Sequence, residues 1–188
     1  MKNSLNQKAL EEKATVTKEI PYNGKAFSVE KETLHFQTHP PYTWEIVTRP
    51  GAVAALPINA AGKLILIHQW RRAVREILYE LPAGTLHQNE DLPTCMDREL
   101  QEEIGYSAKT LIPFGGTYPS PGFCNEYVHF FIAKDLVESA LQKDEHEAID
   151  VIELTLSQAL KLIDENQIQD GKTIVGLLRY ARWLNHEA

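Results

Sequence analysis

The stretch GTLHQNEDLPTCMDRELQEEIGY, Gly84 to Tyr106, decides how this chain reads. Its second half places Leu92, Met96, Leu100 and Ile104 at spacings of four, which predicts a helix with one buried stripe. Asp91 is positioned to cap the start, Pro93 is tolerated in a first turn, and Gly105 stands where a helix ends in a left-handed turn. On such a helix Glu99 and Glu103 are four apart and Glu102 is three from Glu99, so three carboxylates crowd one exposed face. Like charges at that spacing cost about a few tenths of a kcal/mol per pair, and their concentration points to compensation by a bound cation. Oxygen ligands favour magnesium, manganese or calcium; magnesium takes one or two carboxylates and completes its shell with water and phosphate oxygens. Arg98, beside Glu99 and four residues before Glu102, is placed to hold a carboxylate in a fixed orientation. Gly84 opens a loop that must fold back against the helix, and Glu90 lies just before the helix start, where negative charge suits the dipole. For the three acids alone, the alternative is a solvated surface helix.

Outward from this stretch the pattern is mainly strand. Glu76 to Leu81 leads in and ends at Pro82; before it, Ala52 to Ile58 and Lys63 to Trp70 read as strands joined by a loop at residues 59–62. The character changes near Arg49, Pro50 and Gly51, which divides the chain into a β-rich segment, 1–49, and a main domain, 50–188. In the first segment, residues 21–25 read as a turn, and Thr33 to Thr38 and Thr43 to Thr48 as strands. Downstream come strands at Tyr127 to Ala133 and Val151 to Leu156, a helix capped by Ser157, and a last helix from about Thr173 to Leu184.

Composition narrows the function classes. A formal charge of -7 over 188 residues argues against nucleic-acid binding, which needs a basic face. A single diphosphate remains acceptable if metal ions and a few arginines reverse the charge in one pocket, and Arg71, Arg72 and Arg75 form such a basic cluster. Cys95 and Cys124 have neither C-x-x-C spacing nor a histidine cluster, so neither a disulfide framework nor a zinc site is expected. With no apolar run long enough for a membrane span or a signal peptide, the expected compartment is the cytoplasm.

The full pattern around the helix is G-x5-E-x7-R-E-L-x-E-E-x-G-Y. At about 5–7% usage per residue type, even seven of these fixed positions coincide by chance less than about once in a million, which sets aside the plain surface helix. The pattern closely resembles the Nudix box, with Tyr106 in a slot that more often holds an aliphatic residue. On that resemblance the chain is identified as a member of the Nudix hydrolase family. The resemblance implies an α/β/α sandwich with a mixed sheet, here preceded by the small N-terminal β segment, and attack of water on a diphosphate with divalent metals bound. It matches Glu99 and Glu103 to metal ligands, with Glu102 nearby and the backbone carbonyl of Ala83 contributing, and it implies two or three magnesium ions, with manganese as the alternative.

The flanks resemble the ADP-ribose pyrophosphatase branch: His68, Gln69, Trp70 and Arg71, then Glu80 to Gly84, then Ser120, Pro121, Gly122 and Phe123. ADP-ribose, cut to AMP and ribose 5-phosphate, is therefore the expected substrate. GDP-mannose or a broad range of nucleotide sugars is the rival, and a non-catalytic ADP-ribose sensor a second one. The resemblance makes Arg71 a diphosphate ligand, puts Pro121 in a substrate-binding segment, and makes Glu145 the catalytic base and Glu147 a further metal ligand in an acidic loop. A solvated acidic turn is the alternative for that loop. Trp44 would stack on adenine or serve as a packed core or interface residue, and the N-terminal segments would join two copies into a homodimer.

Overall fold

The computed structural model describes residues 6–141 and 148–187. The chain forms two compact units, residues 1–50 with 120–126, and residues 51–119 with 127–188. The first holds helix α1 (Asn6–Glu11) and strands β1 (Thr15–Asn23), β2 (Ser28–His35) and β3 (Tyr42–Thr48), an antiparallel meander with β2 in the centre. The turn expected at residues 21–25 falls later, because Pro21 and Tyr22 still belong to β1, in a register-shifted stretch. Pro21 has no N–H to donate, which suits an edge strand. Residues 120–126 join this unit through Val47, whose N–H donates to the Phe123 carbonyl (2.7 Å) and whose carbonyl accepts from the Asn125 N–H (3.2 Å).

The second unit contains β4 (Ala52–Pro57), β5 (Leu64–Arg71), β6 (Glu76–Glu80), β7 (Ala83–Thr85), α2 (Leu92–Glu103), β8 (Tyr106–Thr117), β9 (Val128–Glu138), β10 (Ile149–Leu154), α3 (Leu156–Asp164) and α4 (Gly171–Glu187). The strands form two sheets, in the orders β10-β5-β6 and β7-β4-β9-β8. Among the described residues of these two sheets only the β4–β9 pairing is parallel, so the architecture is mixed.

Every residue of β4 is buried, and the reason is visible in which core each one feeds. Ala52, Ala54 and Leu56 pack with Leu64, Leu66, Phe130 and Ile132 against Ala159 of α3 and Leu177 and Tyr180 of α4. Val53 and Ala55 pack with Ile65, Ile67, Phe131 and Ala133 against Cys95, Met96, Leu100 and Ile104 of α2. Alternate side chains of a strand point to opposite faces, so the sheets lie between α2 on one side and α3 and α4 on the other. That is the α/β/α arrangement implied by the family resemblance.

Three local expectations are corrected. Tyr106–Thr117, the longest strand of the unit, carried no strand signal because Pro113, Gly115 and Gly116 interrupt the alternation; the register with β9 shifts between Pro113 and Gly116. The α3 cap is Thr155, not Ser157: the Thr155 hydroxyl accepts from the Gln158 N–H, and the Gln158 side chain accepts from the Thr155 N–H. The last helix starts at Gly171, because Asp170 accepts from the Thr173 N–H (3.0 Å) and so caps it earlier than expected.

Thr173 also fixes where that helix sits. Fully buried, its hydroxyl donates to Asp170 (2.6 Å) and accepts from the Leu81 N–H (2.8 Å). Thr173→Val strands a buried Leu81 N–H, and we expect a loss of about 1–3 kcal/mol, read as a lower midpoint in urea unfolding with an unchanged slope.

Candidate active site

The N-terminal start of α2 is built as the sequence indicates. Asp91 is extended and accepts from the Thr94 N–H at 3.0 Å, and Pro93 lies in the first turn. At the other end Gly105 has φ +77°, the left-handed conformation that glycine adopts without strain. Asp97, on the helix, accepts from the Ser107 hydroxyl (2.7 Å) and the Ala108 N–H (3.0 Å) and ties α2 to β8.

The acidic face differs from the expected exposed one. Glu103 is buried, 4% exposed, and its carboxylate accepts from the Ala83 N–H at 2.9 Å. Glu99 lies directly over Gly84: a Cβ added there would stand 1.8 Å from the Glu99 carboxyl carbon. The helix therefore seats its carboxylates on the backbone of β7, and a hydrogen-only residue at 84 is a steric requirement of that seating. Glu102 is the more exposed of the group.

Arg98 gathers the acids. Its guanidinium donates to both Glu90 oxygens (Nε 2.9 Å, Nη2 3.1 Å), to Glu99 (2.6 Å) and to Glu102 (3.0 Å), and it reaches the Thr85 carbonyl (3.3 Å). One cation thus faces three carboxylates. The Arg98 guanidinium, with a contribution from the His87 N–H against the cost of burial, holds the Glu90 carboxyl down at about 2. Burial, with Glu90 beside it, pushes the Cys95 thiol up to about 12, so this cysteine is inert.

The sign of the pH effect follows. Glu90 titrates below its ordinary value of 4.5, so its pairing stabilises the fold fully above about pH 4.5 and is lost as pH falls towards 2. In Arg98→Met that contribution disappears and the remaining carboxylates repel, so acid relieves them. We expect urea stability from pH 5 to 2.5 to fall more steeply in the native chain than in Arg98→Met, where the other paired carboxylates, Glu80 and Asp91, still lose their contributions; parallel curves would contradict this.

Glu99 and Glu103, with the Ala83 carbonyl, offer oxygen donors only, and the Gly84 cradle presses Glu99 into place; this donor set fits a hard divalent cation. Among the described residues no three acidic, histidine or cysteine side chains converge as a complete metal cage.

Arg71, expected to meet a diphosphate, is forked onto Glu80, Nε to Oε1 at 2.5 Å and Nη2 to Oε2 at 2.7 Å. That bond, outweighing the cost of its burial, raises the pKa of its guanidinium, and the charges of Glu80, Glu103 and Asp170 add to the effect. Arg72 and Arg75 are exposed in the turn that follows, Arg75 at φ +59°. Trp44, half-buried with its ring edge-on to Tyr42 (centroids 4.9 Å), and Pro121 both belong to the first unit. Glu145 and Glu147 lie outside the described residues.

Two polar residues at this site escaped the sequence reading. Glu80, 1% exposed, was noted only as a flank, and Lys172, which pairs with it, not at all. An acid inside the apolar run Ile77 to Leu81 and the D-x-x-T cap of Asp170 and Thr173 were the signals available.

Comparison with known proteins agrees with this geometry. The NUDIX domain model matches residues 48–174. An ADP-ribose pyrophosphatase of Bacillus subtilis (strain 168) is 40% identical over 168 residues, 88% of this chain and 90% of that protein. A methanol dehydrogenase activator of Bacillus methanolicus is 36% identical over 172 residues, 90% and 92% of the two chains. A GDP-mannose pyrophosphatase of Yersinia enterocolitica is 35% identical over 141 residues, 70% and 73%. A crystal structure of an ADP compounds hydrolase superposes with a TM-score of 0.83 at 23% identity, covering 94% of this chain and 96% of that one, and so shares the fold. With the box residues in place on α2 and β7, and the family model spanning both, this chain belongs to the Nudix hydrolase family.

Proposed function

We propose that this protein hydrolyses the diphosphate of a nucleoside diphosphate sugar, ADP-ribose foremost, to AMP and ribose 5-phosphate. The observation that carries the reading is the seating of Glu99 and Glu103 on Gly84 and Ala83, with Arg98 holding the same face in order. The similarity to an ADP-ribose pyrophosphatase over 88% of the chain supports the substrate.

In this reading Glu99, Glu103 and the Ala83 carbonyl hold two or three magnesium ions, with Glu147 as a further ligand and manganese as the alternative metal. When bound, such ions neutralise charge on the phosphoryl oxygens and lower the pKa of water. Arg98 keeps Glu99 and Glu102 oriented, and Glu102 stands beside the ligands. Arg71 binds the diphosphate through its guanidinium. Glu145 takes a proton from the attacking water; the new bond forms from water oxygen to phosphorus as the bridging oxygen leaves with the other product. Residues 1–49 serve dimerisation and adenine binding, with Trp44 stacking on the base and Pro121 in the substrate segment. The protein works as a cytoplasmic homodimer; for its part, the described chain has no helix long and apolar enough to cross a membrane.

The relative named for GDP-mannose favours a second reading, in which the sugar and base differ and the chemistry is the same. Product analysis on ADP-ribose, GDP-mannose, UDP-glucose and NADH with Mg²⁺ decides between them. We expect ADP-ribose to be preferred by at least about tenfold in kcat/KM, and chelation of the metal to abolish turnover. Equal turnover of several sugars would replace the first reading with the second, and no turnover of any would leave binding alone.

A further inference from the structure

The start of the last helix reaches back 92 residues to the end of β6. Glu80 is 1% exposed there, and a buried carboxylate stays ionised only where cations and hydrogen bonds replace its water. Two cations do so. Arg71 forks onto both oxygens, and the Lys172 ammonium donates to Oε2, the same oxygen that Arg71 Nη2 reaches. Lys172 also donates to Asp170 at 3.0 Å, and the Thr173 hydroxyl, bonded to Asp170, accepts from the Leu81 N–H. The first turn of α4 therefore grips Glu80 by its carboxylate and Leu81 by its backbone. Burial pushes the Glu80 carboxyl up, but Arg71 and Lys172 together outweigh it and leave the group ionised.

The sharing of Oε2 matters for Arg71. A guanidinium paired alone with a buried carboxylate spends its charge on that partner; with a second cation on the same oxygen, more of its attraction is left for another anion. We infer that Lys172 is a positioning residue for Arg71, fixing Glu80 in one orientation and sharing its charge so that the guanidinium presents its remaining Nη N–H groups to the diphosphate. This rests on the reading above that Arg71 binds the diphosphate.

The test is a double-mutant cycle in KM and kcat, on ADP-ribose with Mg²⁺, or on GDP-mannose if the panel selects it. Lys172→Met is expected to raise KM about tenfold with kcat within about threefold, since binding common to ground and transition states is what weakens. Lys172→Arg is expected to restore KM. In an Arg71→Met background, Lys172→Met should change KM by less than about twofold, because its effect passes through Arg71. Full additivity of the two substitutions, or an unchanged KM in Lys172→Met while Arg71→Met raises it, overturns the inference and leaves Lys172 a fold-stabilising residue. An unchanged KM in Arg71→Met overturns the diphosphate role of Arg71 itself, and the inference with it. If Lys172→Met does not fold, alone or together with Arg71→Met, Lys172→Gln, which keeps a donor for Glu80 without the charge, carries the same cycle.

Discussion

Glu103→Gln is expected to lower kcat with ADP-ribose and Mg²⁺ by about a thousandfold, equivalent to about 4 kcal/mol of barrier. Glutamine keeps nearly the same shape and an acceptor oxygen for the Ala83 N–H, so the 2.9 Å bond that anchors this buried side chain survives. What disappears is the negative charge, and with it a ligand whose attraction for a divalent cation the amide cannot match. Removing a charge from a crowded acidic face also relieves repulsion. The thermal midpoint should therefore stay level or rise while turnover collapses. Steady-state kinetics together with calorimetry check both halves; kcat within a few-fold of the native value would remove Glu103 from the metal site.

Gly84→Ala should lose about a hundredfold in kcat/KM, with a stability cost below about 2 kcal/mol. The added Cβ would lie 1.8 Å from the Glu99 carboxyl carbon, far inside any permitted contact. The backbone of β7 is paired to β4, so the glutamate must yield. Its carboxylate is the far end of a flexible side chain, which keeps the folding penalty small. Swinging away, however, takes it from the Arg98 bond at 2.6 Å and from the position in which it would bind metal. A variant with native activity would show that Glu99 need not rest on Gly84; one that fails to fold would show that β7 cannot absorb the strain.

Much of the site was legible in the primary structure because it is local. Glu99, Glu102 and Glu103 sit on one helix with Arg98 just before them and Gly105 at the end: local spacing brings Arg98 to Glu99 and Glu102, and the short loop ahead of the helix turns Glu90 back onto the same guanidinium. The caps Asp91 and Gly105 work through neighbouring backbone and were equally readable.

The tertiary structure decided what depends on contacts distant in sequence. That Glu103 is buried rather than exposed follows from β7 lying against α2, a contact no periodicity encodes. The pairing of Arg71 with Glu80 across β5 and β6, and of Glu80 with Lys172 ninety-two residues later, requires two strands of one sheet and a helix to meet. The strand Tyr106–Thr117 forms despite Pro113 and two glycines because β9 supplies its partner groups and a shift of register absorbs the irregularity. Sequence determined the chemistry carried by one helix, since a helix is its own scaffold; the three-dimensional packing determined how deeply that chemistry is buried and which distant residues hold it in place.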